Sequence, residues 1–197
     1  MILDCAAKIV ADEGVAAVSM ERLSKDAKIS KALVYNYYPS VTVLLQTLLN
    51  REYRHLRKLQ LDAAESAETL EQLTRRVTKV YLSYIKDRGM LIERLAVEPS
   101  VANSGDPTKY GREAAVSYLA QIISDNFNID MQVAKPAVDI SYGMPAAAGQ
   151  YLIHHDVNLQ TIEDITVTMI LGSYEAIQKK YETSLKPLIK RPPNKDN

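Results

Sequence analysis

Apolar residues along this chain recur every three or four positions, and alternating period-two runs are nearly absent. The pattern predicts an all-α protein. Ile2, Leu3, Ala6, Ile9 and Val10 form the inner face of a first helix, which Gly14 closes. Ser19 caps a second helix over residues 20–27, with Leu23 turned inward. After a break at Lys28 and Ile29, Ser30 caps a third helix that runs through Tyr38 and stops at Pro39. Ile29 and Val34 occupy the two positions of a hydrophobic staple across its start. Ser40 caps a fourth helix, in which Val43, Leu44, Thr47, Leu48 and Leu56 keep the period.

Alanines and polar residues over 62–68 weaken the pattern, and a domain boundary is expected in or just after the fourth helix. The reading is residues 1–50 as one domain, 51–185 as a second, and 186–197 as a disordered tail. Thr69 and Gln72 form a capping box for a fifth helix, with Leu70, Leu73, Val77, Val80, Tyr84 and Ile85 on one face. Gly89 is expected to end that helix, with a short helix over 90–97 and a loop, EPSVANSGDP, after it. Further helices are expected over 108–126, 133–154 and 161–181, the second kinked at Pro145.

Composition narrows the function classes mainly by what it lacks. Lysine plus arginine and aspartate plus glutamate are equal at 24 each, so overall charge does not point to nucleic acid and local pattern must carry any such reading. Cys5 is the single cysteine, which leaves no internal disulfide and suits a reducing, cytoplasmic compartment. No apolar run reaches the ~20 residues of a membrane span, and no signal peptide is read. There is no Gly-rich phosphate loop, no Gly-x-Ser-x-Gly and no buried acid pair, so no catalytic residues are assigned and no cofactor is expected. His154 and His155 are neighbours and diverge by about 100° on a helix, so no metal site is expected; charge compensation at a helix C-terminus is the simpler role.

The informative segment is SMERLSKDAKISKALVYNYYPSVTVLLQ, residues 19–46. Two short helices joined by a tight turn suit a helix-turn-helix, whose second helix enters the major groove. With Ile29, Val34 and Tyr38 facing the core, Lys31, Ala32, Leu33, Tyr35, Asn36 and Tyr37 are left for DNA. Asparagine pairs with adenine edges, and Ala32 and Leu33 suit thymine methyls. Ser19 and Ser30 complete the candidate DNA-contacting set.

Residues 2 to about 50 resemble the tetracycline-repressor (TetR) family of bacterial regulators. The first helix ends at Gly14, Val18-Ser19 lead into MERLSKDA, and KISKALVYNYYPS parallels Gly-Val-Ser-x-Gly-x-Leu-Tyr-x-His-Phe-x-x-Lys. Lys28 stands at the usual turn glycine, so a positive φ is expected there at some strain. Ala32 replaces a glycine, Tyr37 and Tyr38 replace His and Phe, and Val41 stands where a phosphate-contacting lysine is usual. The basic arm that often precedes the first helix is missing. Residues 1–54 hold seven basic and six acidic side chains, a net charge of +1. Either the start of the chain is trimmed, or affinity leans on neutral hydrogen bonds and dimer avidity.

The resemblance implies a ligand pocket in the second domain without saying which residues line it. The candidates are its tyrosines and methionines: Tyr81, Tyr84, Met90, Tyr110, Tyr118, Tyr142, Met144 and Tyr151. A small apolar or aromatic ligand fits such walls. The resemblance also implies a homodimer built from the last two helices of each protomer. Ala146, Ala147 and Gly149 allow close approach there, while Leu152, Ile165, Met169 and Ile170 supply apolar surface. The resulting expectation is a dimeric, ligand-responsive repressor that binds a palindromic operator in double-stranded DNA. Two alternatives stay open: a DNA-binding protein whose second domain docks another protein, and a helical-bundle enzyme or scaffold that does not bind DNA.

Overall fold

The computed structural model describes residues 1–102 and 109–184. They form ten α-helices and a short 3-10 turn, Val15–Ala17, with no strand among the described residues. In chain order the helices are α1 Ile2–Glu13, α2 Met20–Asp26, α3 Lys31–Tyr37, α4 Val41–Glu65, α5 Leu70–Ala96, α6 Pro99–Ala102, α7 Lys109–Phe127, α8 Met131–Ser141, α9 Met144–His154 and α10 Leu159–Ser184. The expected disordered tail lies outside the described residues.

The helix starts are set by local chemistry. Ser19, Ser30 and Ser40 each accept the backbone N–H three residues on, from Arg22, Leu33 and Val43, at 3.2 Å in each case. Each bond satisfies a donor that the first helical turn leaves without a partner, and such a cap contributes about 1 kcal/mol. Gly14 ends α1 with φ 92°, and Lys28 adopts φ 53° between α2 and α3. A lysine in the left-handed region costs roughly 1–2 kcal/mol, as expected where glycine is usual. At α5 the Thr69 hydroxyl accepts the Gln72 N–H at 3.1 Å. The Gln72 side chain takes the N–H of Glu68 rather than that of Thr69, so the capping box is displaced by one residue.

Two expectations fail for the same reason. Gly89 does not end α5; it is buried in the middle of one continuous helix of 27 residues. A Cβ on Gly89 would lie 2.8 Å from Ile153 Cγ1, so the glycine is a notch that lets α9 approach. Pro145 does not kink a long helix. The chain turns at Tyr142 and Gly143, and Pro145 sits in the first turn of a new helix, α9. Its missing N–H has no acceptor to lose there. Both residues were read as punctuation of their own segment, whereas a distant helix decides their role.

α5 packs against α4, α9, α10, α1 and α6. Ile85, Leu91, Ile92 and Leu95 of α5 join Val10, Leu23, Val34, Leu44 and Leu48 in one apolar core. Leu82 meets Leu152 and Ile162 on another side of the same helix. A separate core joins α7, α8 and α10 through Ile123, Val138, Ile170 and Tyr174. The expected boundary at residue 50 falls inside α4, which runs through it unbroken.

One carboxylate crosses this apolar interior. Glu52 of α4 is 3% exposed. Arg88 of α5 donates to it through Nε at 3.0 Å and Nη2 at 3.1 Å, Tyr84 donates its hydroxyl at 2.8 Å, and Arg51 donates at 3.0 Å. Burial alone would raise the Glu52 pKa, but the hydrogen bonds from Arg88, Tyr84 and Arg51 outweigh it and hold the group below its ordinary 4.5. The same pairing, after burial, pushes the Tyr84 hydroxyl up to about 12. A carboxyl whose pKa is lower folded than unfolded stabilises the fold above the unfolded value. That contribution disappears as pH falls through the folded value. Stability measured by urea unfolding is therefore expected to fall below about pH 4.5. Glu52→Gln should be less stable than wild type at pH 7 and show a shallower acid slope; parallel slopes would contradict the assignment.

Candidate nucleic-acid interface

α2 and α3 form a helix pair whose inner face is apolar. Met20, Leu23 and Val34 are buried, and Ile29 and Tyr38 pack against the same core from either end of α3. One turn of side chains is thereby anchored, and the rest of α3 is left outside. Lys31, Ala32, Leu33, Tyr35, Asn36 and Tyr37 are all exposed, with Tyr37 the most open of its apolar and aromatic members at 65%. All six candidate residues of this helix are thus open to solvent, with only Val34 of α3 buried. Ser30 stands at its N-terminus, and its hydroxyl proton remains available while its oxygen caps the helix. Ser19 caps α2 in the same way but is half-buried.

The electrostatics of this surface are internally balanced. Lys31 pairs with Glu21 of α2, and its ammonium also lies 5.8 Å from the centre of the Tyr35 ring. The hydrogen bond between them lowers the Glu21 pKa and raises that of Lys31. Arg22 forms a two-pronged pair with Glu13, 2.6 Å on each arm, and touches Asp26 at 3.4 Å. Arg51 of α4 is held by Asp4 at 2.6 Å and by Glu52. Any polyanion approaching α3 competes with these carboxylates. Such exposed pairs are individually weak, so the competition can be won.

The other candidate residues scatter. A pocket of about 320 Å³ opens between α4, α5 and α9. Leu56, Ile85, Ile92, Ala96, Val97 and Ile153 make its apolar wall, and Tyr53, Tyr81, Glu93 and Gln150 its polar groups. Of the ligand candidates whose side chains are among the described residues, only Tyr81 lines it. Tyr84 is engaged by Glu52, Met144 packs with the core of α7, α8 and α10, and Tyr142 lies over Arg112. Met90 and Tyr118 point to the surface, and Tyr151 stacks on His155 with ring centres 3.9 Å apart. The Tyr110 side chain lies outside the described residues. Of the candidates for a dimer seam, Ala146, Ala147, Ile165 and Met169 are exposed in the single chain, while Gly149, Leu152 and Ile170 are buried within it.

Several structural groups were not found in the sequence. Arg94 of α5 donates from Nη1 to the carbonyls of Val10 and Ala11, at 2.8 and 2.6 Å, and so caps the C-terminal end of α1. Its neighbour Glu93 lines the pocket. The available signal was position within a stripe: Glu52 falls between Leu48, Leu49 and Leu56, and Glu93 one turn from Gly89 and Val97. An acid in an apolar stripe requires a partner or a purpose.

Comparison with known proteins places this surface in context. Residues 2–48 match the family described as bacterial regulatory proteins, tetR family. A stretch of 53 residues is 38% identical to the uncharacterized HTH-type transcriptional regulator YuxN of Bacillus subtilis, and covers 27% of this chain and 18% of that protein. The fold is similar to that of a putative transcriptional regulator from Pseudomonas aeruginosa PAO1, with TM-score 0.73, 8% identity and 91% of each chain covered. It is also similar to a TetR-like transcriptional regulator from Rhodococcus sp. RHA1, with TM-score 0.67, 17% identity, and 88% of this chain and 93% of that one covered. The fatty acid degradation regulator FadR of Bacillus halodurans aligns with TM-score 0.67 at 11% identity, covering 86% of this chain and 92% of that one.

The Lys31–Glu21 pair generates a direct test. Glu21→Gln removes an acid from the exposed surface and releases the ammonium at the start of α3. Binding to duplex DNA at low salt should tighten about threefold to tenfold, with the gain shrinking as salt rises. Equal or weaker binding, measured by fluorescence anisotropy, would show that Lys31 does not act on a phosphate or base.

Proposed function

We propose that this member of the tetR family is a homodimeric transcriptional repressor that releases its operator when a small apolar or aromatic ligand enters the second domain. The observation that carries the reading is α3: a capped helix, anchored by Val34, that presents Lys31, Ala32, Leu33, Tyr35, Asn36 and Tyr37 together to solvent. A helix of this size fits the major groove. Asn36 suits adenine, Leu33 and Ala32 suit thymine methyls, and Ser30 and Tyr35 suit the backbone. With Lys31, Arg22 and Arg51 paired internally, base contacts and the doubling of contacts in a dimer carry more of the affinity than charge does.

The dimer reading is supported by the exposed apolar and small residues on two adjacent helices, Ala146 and Ala147 on α9 and Ile165 and Met169 on α10. Gly172 on α10 adds a point where an extra Cβ would meet nothing within 4 Å. Gly149, Leu152 and Ile170 act within the chain and hold these helices in place. The ligand reading is supported by the pocket between α4, α5 and α9. α5 supplies part of the wall, and through Arg94 it grips the end of α1, on which α2 packs and through it α3. A ligand that shifts α5 therefore shifts the recognition helix. Two such helices must match successive major grooves about 34 Å apart, so a small change in spacing releases the DNA. Such a protein acts where the chromosome is, in the cytoplasm, and needs no catalytic group.

Selection from random duplex DNA should yield a palindrome. Against a library of its single-base variants, Lys31→Ala and Asn36→Ala should each cost roughly 1–3 kcal/mol and relax preference at one position per half-site. Unchanged profiles for both would remove α3 as the reading helix. Ala147→Arg should give folded monomers on a sizing column, with operator affinity reduced; a variant that stays dimeric would place the seam elsewhere.

A further inference from the structure

The pocket holds one charged group whose chemistry is unspent. Glu93 lines it from α5, and its Oε2 is buried without a hydrogen-bond partner. His154 Nε2, at the end of α9, lies 3.3 Å from that oxygen without forming a hydrogen bond to it. A buried carboxylate oxygen left without a donor is costly, and a ligand able to donate to it recovers that cost on binding. No lysine or arginine lines the pocket. The Arg88 guanidinium on the same helix is already held by Glu52. An anionic ligand would meet Glu93 with no lysine or arginine in the lining to offset it, and with His154 at 3.3 Å as the one basic neighbour the structure places on that oxygen.

The remaining walls suit a particular shape of cation. Ile85, Ile92 and Ile153 offer an apolar surface, and the rings of Tyr53 and Tyr81 add aromatic faces. A tyrosine ring is neutral and electron-rich at physiological pH, and burial, which pushes the Tyr81 hydroxyl up to about 12, keeps it so. An aromatic face attracts an ammonium within about 6 Å, the more strongly when both are out of water. A pocket of about 320 Å³ has room for a fused aromatic system with a short side chain.

We infer that the ligand is an amphiphilic cation, an aromatic or bulky apolar body bearing an amine, and that Glu93 is its counter-ion. The inference rests on the reading of this pocket as the effector site. Three matched probes separate the two: naphthylethylamine, naphthylethanol and naphthylacetate, titrated calorimetrically into the full chain. The amine should bind about tenfold tighter than the alcohol, the worth of one charge-assisted hydrogen bond, with the acetate weakest. In Glu93→Gln the amine should fall to the level of the alcohol while the alcohol is unchanged, which also shows that the variant is folded. An acetate as tight as the amine, or an amine preference that survives in Glu93→Gln, would overturn the inference. Equal binding of all three would overturn the charge assignment and leave the pocket reading standing, whereas no binding of any would remove both. The ranking in the wild-type chain decides the matter even if the variant does not fold.

Discussion

The constraint on which this structure depends is that α5 must be covered on more than one side. Over 27 residues it extends about 40 Å, and its apolar positions do not fall on a single stripe. Ile85, Leu91, Ile92 and Leu95 need α1, α4 and the helix-turn-helix unit, while Leu82 needs α9 and α10. The N-terminal core and the contact with α9 and α10 both close on this helix, while the core of α7, α8 and α10 forms beside it. The small N-terminal unit is therefore not an independent bead on a linker; it is clamped to the helix that also walls the pocket.

Polar contacts give that clamp its direction. Arg94 meets the carbonyls of Val10 and Ala11, where the negative end of the α1 dipole lies. Glu52 is surrounded by Arg88, Tyr84 and Arg51, and Arg51 reaches on to Asp4 of α1. These bonds depend on distance and angle far more than an apolar contact does, so they fix the rotation of α4 and α1 about α5. A displacement at the pocket that breaks or keeps them changes the position of α3 in discrete steps rather than by gradual give.

The exposed surface of α3 has the opposite character. It is small, nearly neutral, and rich in groups that form hydrogen bonds without net charge. Its ion pairs, Lys31 with Glu21 and Arg22 with Glu13, order the side chains in the absence of DNA. On the proposed function, they would reduce the long-range attraction to any polyanion and leave more of the recognition to neutral groups such as Asn36 and Leu33.

The residues that the sequence alone determined are those whose environment is made within a few positions of the chain. Ser19, Ser30 and Ser40 cap the helices they precede, Gly14 ends α1, Lys28 takes the left-handed turn, and the period of Ile29, Val34 and Tyr38 decides which side of α3 faces out. Each of these rests on contacts three to five residues apart, which a linear pattern records. Gly89, Pro145, Arg94 and the lining of the pocket could not be read that way. Gly89 is a notch only because Ile153 arrives from α9, and Arg94 is a cap only because α1 ends beside it. The tyrosines singled out for the pocket show the same limit: one aromatic pattern covers Tyr81 in the cavity wall, Tyr84 on a carboxylate and Tyr118 in solvent. Composition sets what a side chain can do, but its partner lies tens of residues away, and only the packing of α5 between the two halves decides which partner it meets.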